Sequence, residues 1–214
     1  KQKTAYEISL GLVGSEMCIR DRDYIREVED EELARELEQL YRRWRRTLDV
    51  SDFVAFLNLI SERKEKLGLP QRFGKFRAYS LEEYVYRLLK EKLGFENVYW
   101  GLPVEVRKGY GIEADVSVGS LVEGVVRADL VIDCKVELDA SRLKVALANA
   151  VLVKEANPRL AFFVVYAEKE VEQILVELSK AWIDGVYSIF ELEKLLNDVK
   201  KVLKSSKDLS PCSS

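Results

Sequence analysis

Residues 128–138 read ADLVIDCKVEL, and an earlier stretch, 112–118, reads IEADVSV. Both carry the two-residue period of a β-strand, in which successive side chains point to opposite faces. Ile112, Ala114, Val116 and Val118 share one face of the earlier stretch, with Glu113, Asp115 and Ser117 on the other. In the later one, Ile132, Cys134 and Val136 point into a core, so Asp133 and Lys135 look the other way together. If the two strands are neighbours, Asp115 and Asp133 converge beside Lys135. A hard cation such as Mg²⁺, or Mn²⁺ in its place, takes oxygen ligands, usually one or two carboxylates with waters and a substrate phosphate. Such an ion lowers the pKa of a water and offsets the charge that builds on a cleaved phosphodiester. A lysine beside it can orient or deprotonate that water, or neutralise the oxyanion.

Working outward, Leu160–Tyr166 (LAFFVVY) is continuously apolar, as a strand covered on both faces would be. The segment between, Asp139 to Ala156, reads as a helix stopped by Asn157-Pro158, and it forms a crossover that makes its two flanking strands parallel. Asn97–Arg107 reads as a further strand, followed by a turn at Gly109–Gly111. A helix near Lys169–Trp182, a short strand at Gly185–Tyr187 and a last helix to about Leu203 complete the body. Ser188 and Glu191 have the spacing of a capping box for that last helix, and so do Ser80 and Glu83 for a helix closing at Gly94. The expected fold is α/β, a mixed sheet flanked by helices.

Ahead of the body, Ile25, Val28, Leu33, Leu37, Leu40, Trp44 and Leu48 form one helical stripe close to a coiled-coil seam. A second helix from Ser51 or Asp52 buries Phe53, Phe56, Leu57 and Ile60 and stops at Gly68, so residues 23–70 read as a helical hairpin that could join two copies in a homodimer. Gln71–Tyr79 (QRFGKFRAY) reads as a basic, aromatic linker, and its Arg72, Lys75 and Arg77 are candidates for holding a nucleic-acid backbone. Arg42, Arg43, Arg45 and Arg46 surround Trp44; a charged helix face around one buried ring accounts for them better than a phosphate site does. Residues 80–203 form the body, and 204–214 read as a disordered tail. Residues 1–22, KQKTAYEISLGLVGSEMCIRDR, resemble the translation of a sequencing adapter and are set aside as non-native.

Composition narrows the chemistry. The chain has 214 residues, 48% hydrophobic and 33% charged, enough for a sizeable core and unlike a disordered or collagenous chain. It contains no histidine, which excludes a Ser-His-Asp triad, a Cys-His protease and an HExxH zinc site. Three cysteines without metal or bridge spacing suit the reducing cytoplasm, and no apolar run approaches a membrane span. A net charge of −3 argues against a nucleic-acid coat protein but leaves room for an enzyme with local basic residues. Asn and Gln are scarce beside Glu, Lys and Arg, a balance common in proteins from hot environments.

LVIDCK at 130–135, with an acid on the strand before and a glutamate on a helix ahead of both, resembles the PD-(D/E)XK nuclease superfamily. The resemblance covers roughly Ser80–Tyr187 and is closest to archaeal members with an N-terminal helical or coiled-coil region, in which an Arg-Phe-Gly element like Arg72-Phe73-Gly74 precedes the core helix. It implies a restriction endonuclease-like core and Mg²⁺-dependent hydrolysis of DNA. Asp115 and Asp133 would be the metal ligands, Lys135 the catalytic lysine, and Glu82, preferred over Glu83, the helix acid. Ala114 stands where a proline is usual, and Asp133 replaces the commoner glutamate, which shortens that ligand by one methylene. A catalytically inactive nuclease fold that binds DNA or protein is the alternative.

Overall fold

The structure is a computed structural model that describes residues 24–68, 70–108 and 110–208. The adapter-like segment, the Gly109 end of the expected turn and the tail from residue 209 lie outside the described residues. The chain forms two compact units whose sequence boundary falls between Lys92 and Leu93.

The first unit is helical. Helix α1 (Glu31–Thr47) starts at Asp30, whose carboxylate accepts the N–H groups of Glu32 and Leu33. Glu31 and Glu32 in its first turn and Arg45 and Arg46 in its last oppose the helix dipole. Leu48 ends it in the left-handed region at φ 52°, and Asp49 caps α2 (Val50–Glu62). The two helices pack together, with Leu33, Leu37, Tyr41 and Trp44 buried on α1 and Phe53, Phe56, Leu57 and Ile60 on α2. Tyr41, rather than the expected Leu40, takes the inner position because its hydroxyl has a buried partner on the next helix.

That helix corrects two expectations. α3 runs unbroken from Pro70 to Arg87, then widens into a π-helical turn, Leu88–Lys92, ahead of Gly94 at φ 72°. Gln71–Tyr79 is therefore helix, not linker, and Ser80 is an interior residue whose hydroxyl donates to the Phe76 carbonyl at 2.8 Å. No capping box forms at Ser80–Glu83. Pro70 supplies a pre-set φ at the helix start, and Phe76 and Tyr84 anchor α3 in an aromatic core. Tyr84 stacks on Phe53 at 4.1 Å between centroids, and Phe76 meets Phe56 edge-on at 5.7 Å. Burial of these rings outweighs the weak helix propensity of a stretch containing Gly74.

The second unit is the mixed α/β body. Strands β1 (Val98–Arg107), β2 (Tyr110–Val122) and β3 (Val125–Leu138) form an antiparallel meander. Helix α4 (Ala140–Ala156), capped by Asp139, crosses over to β4 (Ala161–Lys169), which runs parallel to β3. Helix α5 (Gln173–Ser179) leads to β5 (Gly185–Ser188), parallel to β4, and the sheet order is β1-β2-β3-β4-β5. The expected capping box at Ser188 and Glu191 is present, and the last helix, α6 (Leu192–Asp208), runs past its expected end.

Strands β2 and β3 are longer than their alternation indicates. They meet at Glu123 (φ 50°) and Gly124 (φ 84°), two left-handed residues that match a two-residue hairpin turn. Partway down this hairpin the register steps from Val118↔Leu130 to Gly119↔Ala128. A Cβ at Gly119 would lie 2.1 Å from the Arg127 carbonyl oxygen, so only glycine fits there. No helix among the described residues is long and apolar enough to cross a membrane.

Candidate active site

Asp115 lies on β2 between buried Ala114 and Val116, and Asp133 lies on β3 between buried Ile132 and Cys134. The backbone pairing of these strands ends at Val116↔Ile132. Beyond that pair the Asp115 carboxylate takes over, accepting the Cys134 backbone N–H at 2.7 Å. The strands thus part just where two acids face each other, and a side chain fills the gap in the ladder.

Lys135 completes the group. Its ammonium is 3.8 Å from Asp115 and donates a hydrogen bond to Asp133. Asp133 is only 5% exposed, and one of its carboxylate oxygens, Oδ2, is buried without a hydrogen-bond partner among the described residues. Burial pushes the Asp133 carboxyl up from 3.8 to about 7; Lys135 pulls it down, and the neighbouring Asp115 carboxyl adds to the rise. Burial alone would lower the Lys135 ammonium, but Asp133 and Asp115 outweigh it and hold its pKa above the ordinary lysine value. Lys135 is accordingly a positive charge poised between two carboxylates.

The expected convergence of Asp115, Asp133 and Lys135 is therefore present. Asp133 is more enclosed than an acid on an open sheet face, because β3 is covered on both sides at this point. Glu113 is exposed but lies within β2, opposite Pro103, rather than at a strand end, and Glu137 near the end of β3 pairs with Arg142 at 3.0 Å. Cys134 is buried and forms no disulfide among the described residues.

The residues of α3 belong to the first unit. Glu83 is fully buried and accepts from the Tyr41 hydroxyl at 2.9 Å and from Arg87 Nε at 2.6 Å, with Arg45 Nε at 3.4 Å. It is committed to holding the helical unit together. Glu82 is half-buried on the same helix. Arg72 pairs with Glu27 and lies over the Tyr24 ring, Lys75 is exposed, and Arg77 is buried with its guanidinium 5.4 Å from the Phe73 centroid. On α1, Arg42 pairs with Glu38 and Arg43 with Asp52, in keeping with a charged helix face.

One neighbour escaped the sequence reading. Tyr166 on β4 is in parallel register with Lys135, half-buried, and its hydroxyl is held above the ordinary tyrosine pKa by burial and by Glu191. It ends the apolar LAFFVVY run, and only the strand pairing shows which β3 residue it adjoins.

No group of three or more acids or cysteines able to hold a metal occurs among the described residues. The Asp115 and Asp133 pair nevertheless suits a hard dication, which needs only one or two carboxylates, and the unpartnered Asp133 Oδ2 is the kind of oxygen such an ion would satisfy.

The chain is similar to a chain of the native BbvCI A2B2 tetramer, with a TM-score of 0.50 and 15% identity over 84% of this chain and 80% of that one. The fold is restriction endonuclease-like. Similarity extends to restriction endonuclease PspGI, solved with its substrate DNA, at a TM-score of 0.48 and 14% identity over 90% of this chain and 83% of that one. No family model and no curated protein matches the chain.

Proposed function

We propose that the protein is a metal-dependent nuclease that hydrolyses DNA phosphodiester bonds in the cytoplasm. The observation that carries this reading is the meeting of Asp115, Asp133 and Lys135 where β2 and β3 part, on a restriction endonuclease-like fold. Asp115 and Asp133 would hold Mg²⁺, with Mn²⁺ as a substitute. The bound ion would activate a water and offset charge on the phosphodiester.

The chain's own groups have separable tasks. Asp133, enclosed and raised toward neutrality, is the ligand whose charge depends most on company. Lys135, held as an ammonium, is suited to orienting the attacking water and to neutralising the negative charge that grows on the phosphorus oxygens. Glu82 is the helix acid of this reading, since the donors around Glu83 already occupy that carboxylate. Residues 80–203 would carry the nuclease core. Arg72, Lys75 and Arg77 would supply backbone contacts, with Lys75 the most accessible of the three.

The decisive experiment incubates plasmid and branched DNA with Mg²⁺, Mn²⁺ or EDTA. Cleavage by the parent protein that requires the metal and is abolished in Lys135→Ala supports the reading. Salt-sensitive DNA binding with no cleavage under any metal would replace it with an inactive nuclease fold.

A further inference from the structure

Helix α4 has more apolar surface than the body can cover. Leu143, Ala146, Ala150 and Val153 are buried on its inner side. Its outer side still carries Val145, 55% exposed, and Leu152, 46% exposed, with Ala148 between them. α5, packed against α4, adds Ile174 and Leu178 at 59% and 67% exposure. Among the described residues of the helical unit, by contrast, there is no large exposed hydrophobic side chain, because the coiled-coil-like row of α1 is buried within that unit. Exposed apolar side chains clustered on neighbouring elements mark an interaction surface.

The charges along the row say what covers it. Arg142 is engaged by Glu137 and Asp139, and Lys154 by Asp184 at 2.7 Å. Lys144 and Glu155 are exposed and form no ion pair with a described residue. They stand at opposite ends of the row 145-148-152, whose steps of three and four keep it on one side of the helix. The row is therefore its own complement when reversed. An antiparallel copy centred near Ala148 would lay Val145 on the second copy's Leu152 and bring Lys144 to the second copy's Glu155. Ala148 at the centre lets the helix axes approach. A parallel copy would put lysine level with lysine and glutamate level with glutamate, leaving neither with an opposite charge, so the charges favour the antiparallel orientation.

We propose that the α4 face, flanked by α5, is a two-fold interface between two copies of this chain. It is an isologous contact, in which the same patch serves both partners. This inference goes beyond the nuclease reading and stands independently of it.

Sedimentation equilibrium of the full chain over roughly 1–100 μM, a range that brackets ordinary non-obligate association, tests it. The expected mass at the upper end is twice 24.6 kDa. Leu152→Glu should raise the dissociation constant by about thirtyfold or more, as loss of a central anchor does. Lys144→Glu and Glu155→Lys should each weaken association, and the double exchange should restore it, a reversal that altered folding cannot mimic. Circular dichroism confirms that each variant is folded. A mass of 24.6 kDa throughout, or a dimer indifferent to Leu152→Glu and to the charge exchange, would overturn the interface. Cleavage assayed on the same samples reads the nuclease proposal separately.

Discussion

Glu83 in the helical unit and Asp133 in the sheet are both buried carboxylates, and the two are treated in opposite ways. Glu83 in the helical unit meets Tyr41 and Arg87 at hydrogen-bonding distance, with Arg45 behind them. Asp133 in the sheet has Lys135, a second acid beside it and one oxygen with no hydrogen-bond partner among the described residues. Glu83 is balanced by two guanidinium groups and a hydroxyl, so it stabilises the fold it sits in. Asp133 is left short of partners, and the fold tolerates it at a cost. A buried acid that is fully satisfied is structural cement; one left short of partners is a candidate position for binding.

Removing each acid should separate these roles, and the largest effect belongs to Glu83. Glu83→Ala removes the buried acceptor of the Tyr41 hydroxyl and of Arg87 Nε, while Arg87 keeps its pair with Glu91, and should destabilise the protein by about 3 kcal/mol in urea unfolding. A cost under about 1 kcal/mol would show that the Tyr41 and Arg87 contacts are incidental. Next comes Lys135→Ala, expected to lower the cleavage rate by about 10² or more while DNA binding survives. Equal rates for variant and parent would make Lys135 a bystander.

The third contrast is in pH dependence. The Asp133 carboxyl is raised in the folded state, so the fold holds a proton that the unfolded chain releases near its ordinary value of 3.8. Metal-free stability should therefore fall as pH rises from about 4 to about 7, by a few kcal/mol at most, and level off above. Asp133→Asn should flatten that decline and also abolish cleavage. Thermal melts in EDTA that show the same slope in both proteins would place the buried proton elsewhere. The smallest effect is reserved for Glu113→Ala, two residues from Asp115 on the exposed stretch of β2: cleavage should stay within about twofold, since an exposed charge acts on its neighbour through high-dielectric water.

What was readable in advance follows from how local each cause is. The directions of Asp115, Asp133 and Lys135 come from strand alternation, which is a property of consecutive residues. The β3–α4–β4 crossover is legible for the same reason, through its apolar runs and the Asn157-Pro158 stop. α3 was not, because Gln71–Tyr79 is held helical by rings contributed from α2 rather than by its own propensities. Its Ser80–Glu83 spacing imitates a cap in mid-helix, where the backbone donors are already used. The enclosure of Asp133 and the nearness of Tyr166 depend on which strands pair, and no local pattern encodes that.

Gly119 makes the β2–β3 hairpin behave like a clamped ruler. The clamp fixes the graduations on the side of Asp115 and Asp133, because any side chain at Gly119 would strike the Arg127 backbone. What lies past the clamp can change length without moving the marks that matter. The exposed turn at Glu123 is thus a natural port for a fluorophore or an affinity handle, one that would report on the protein without disturbing the spacing of its acids.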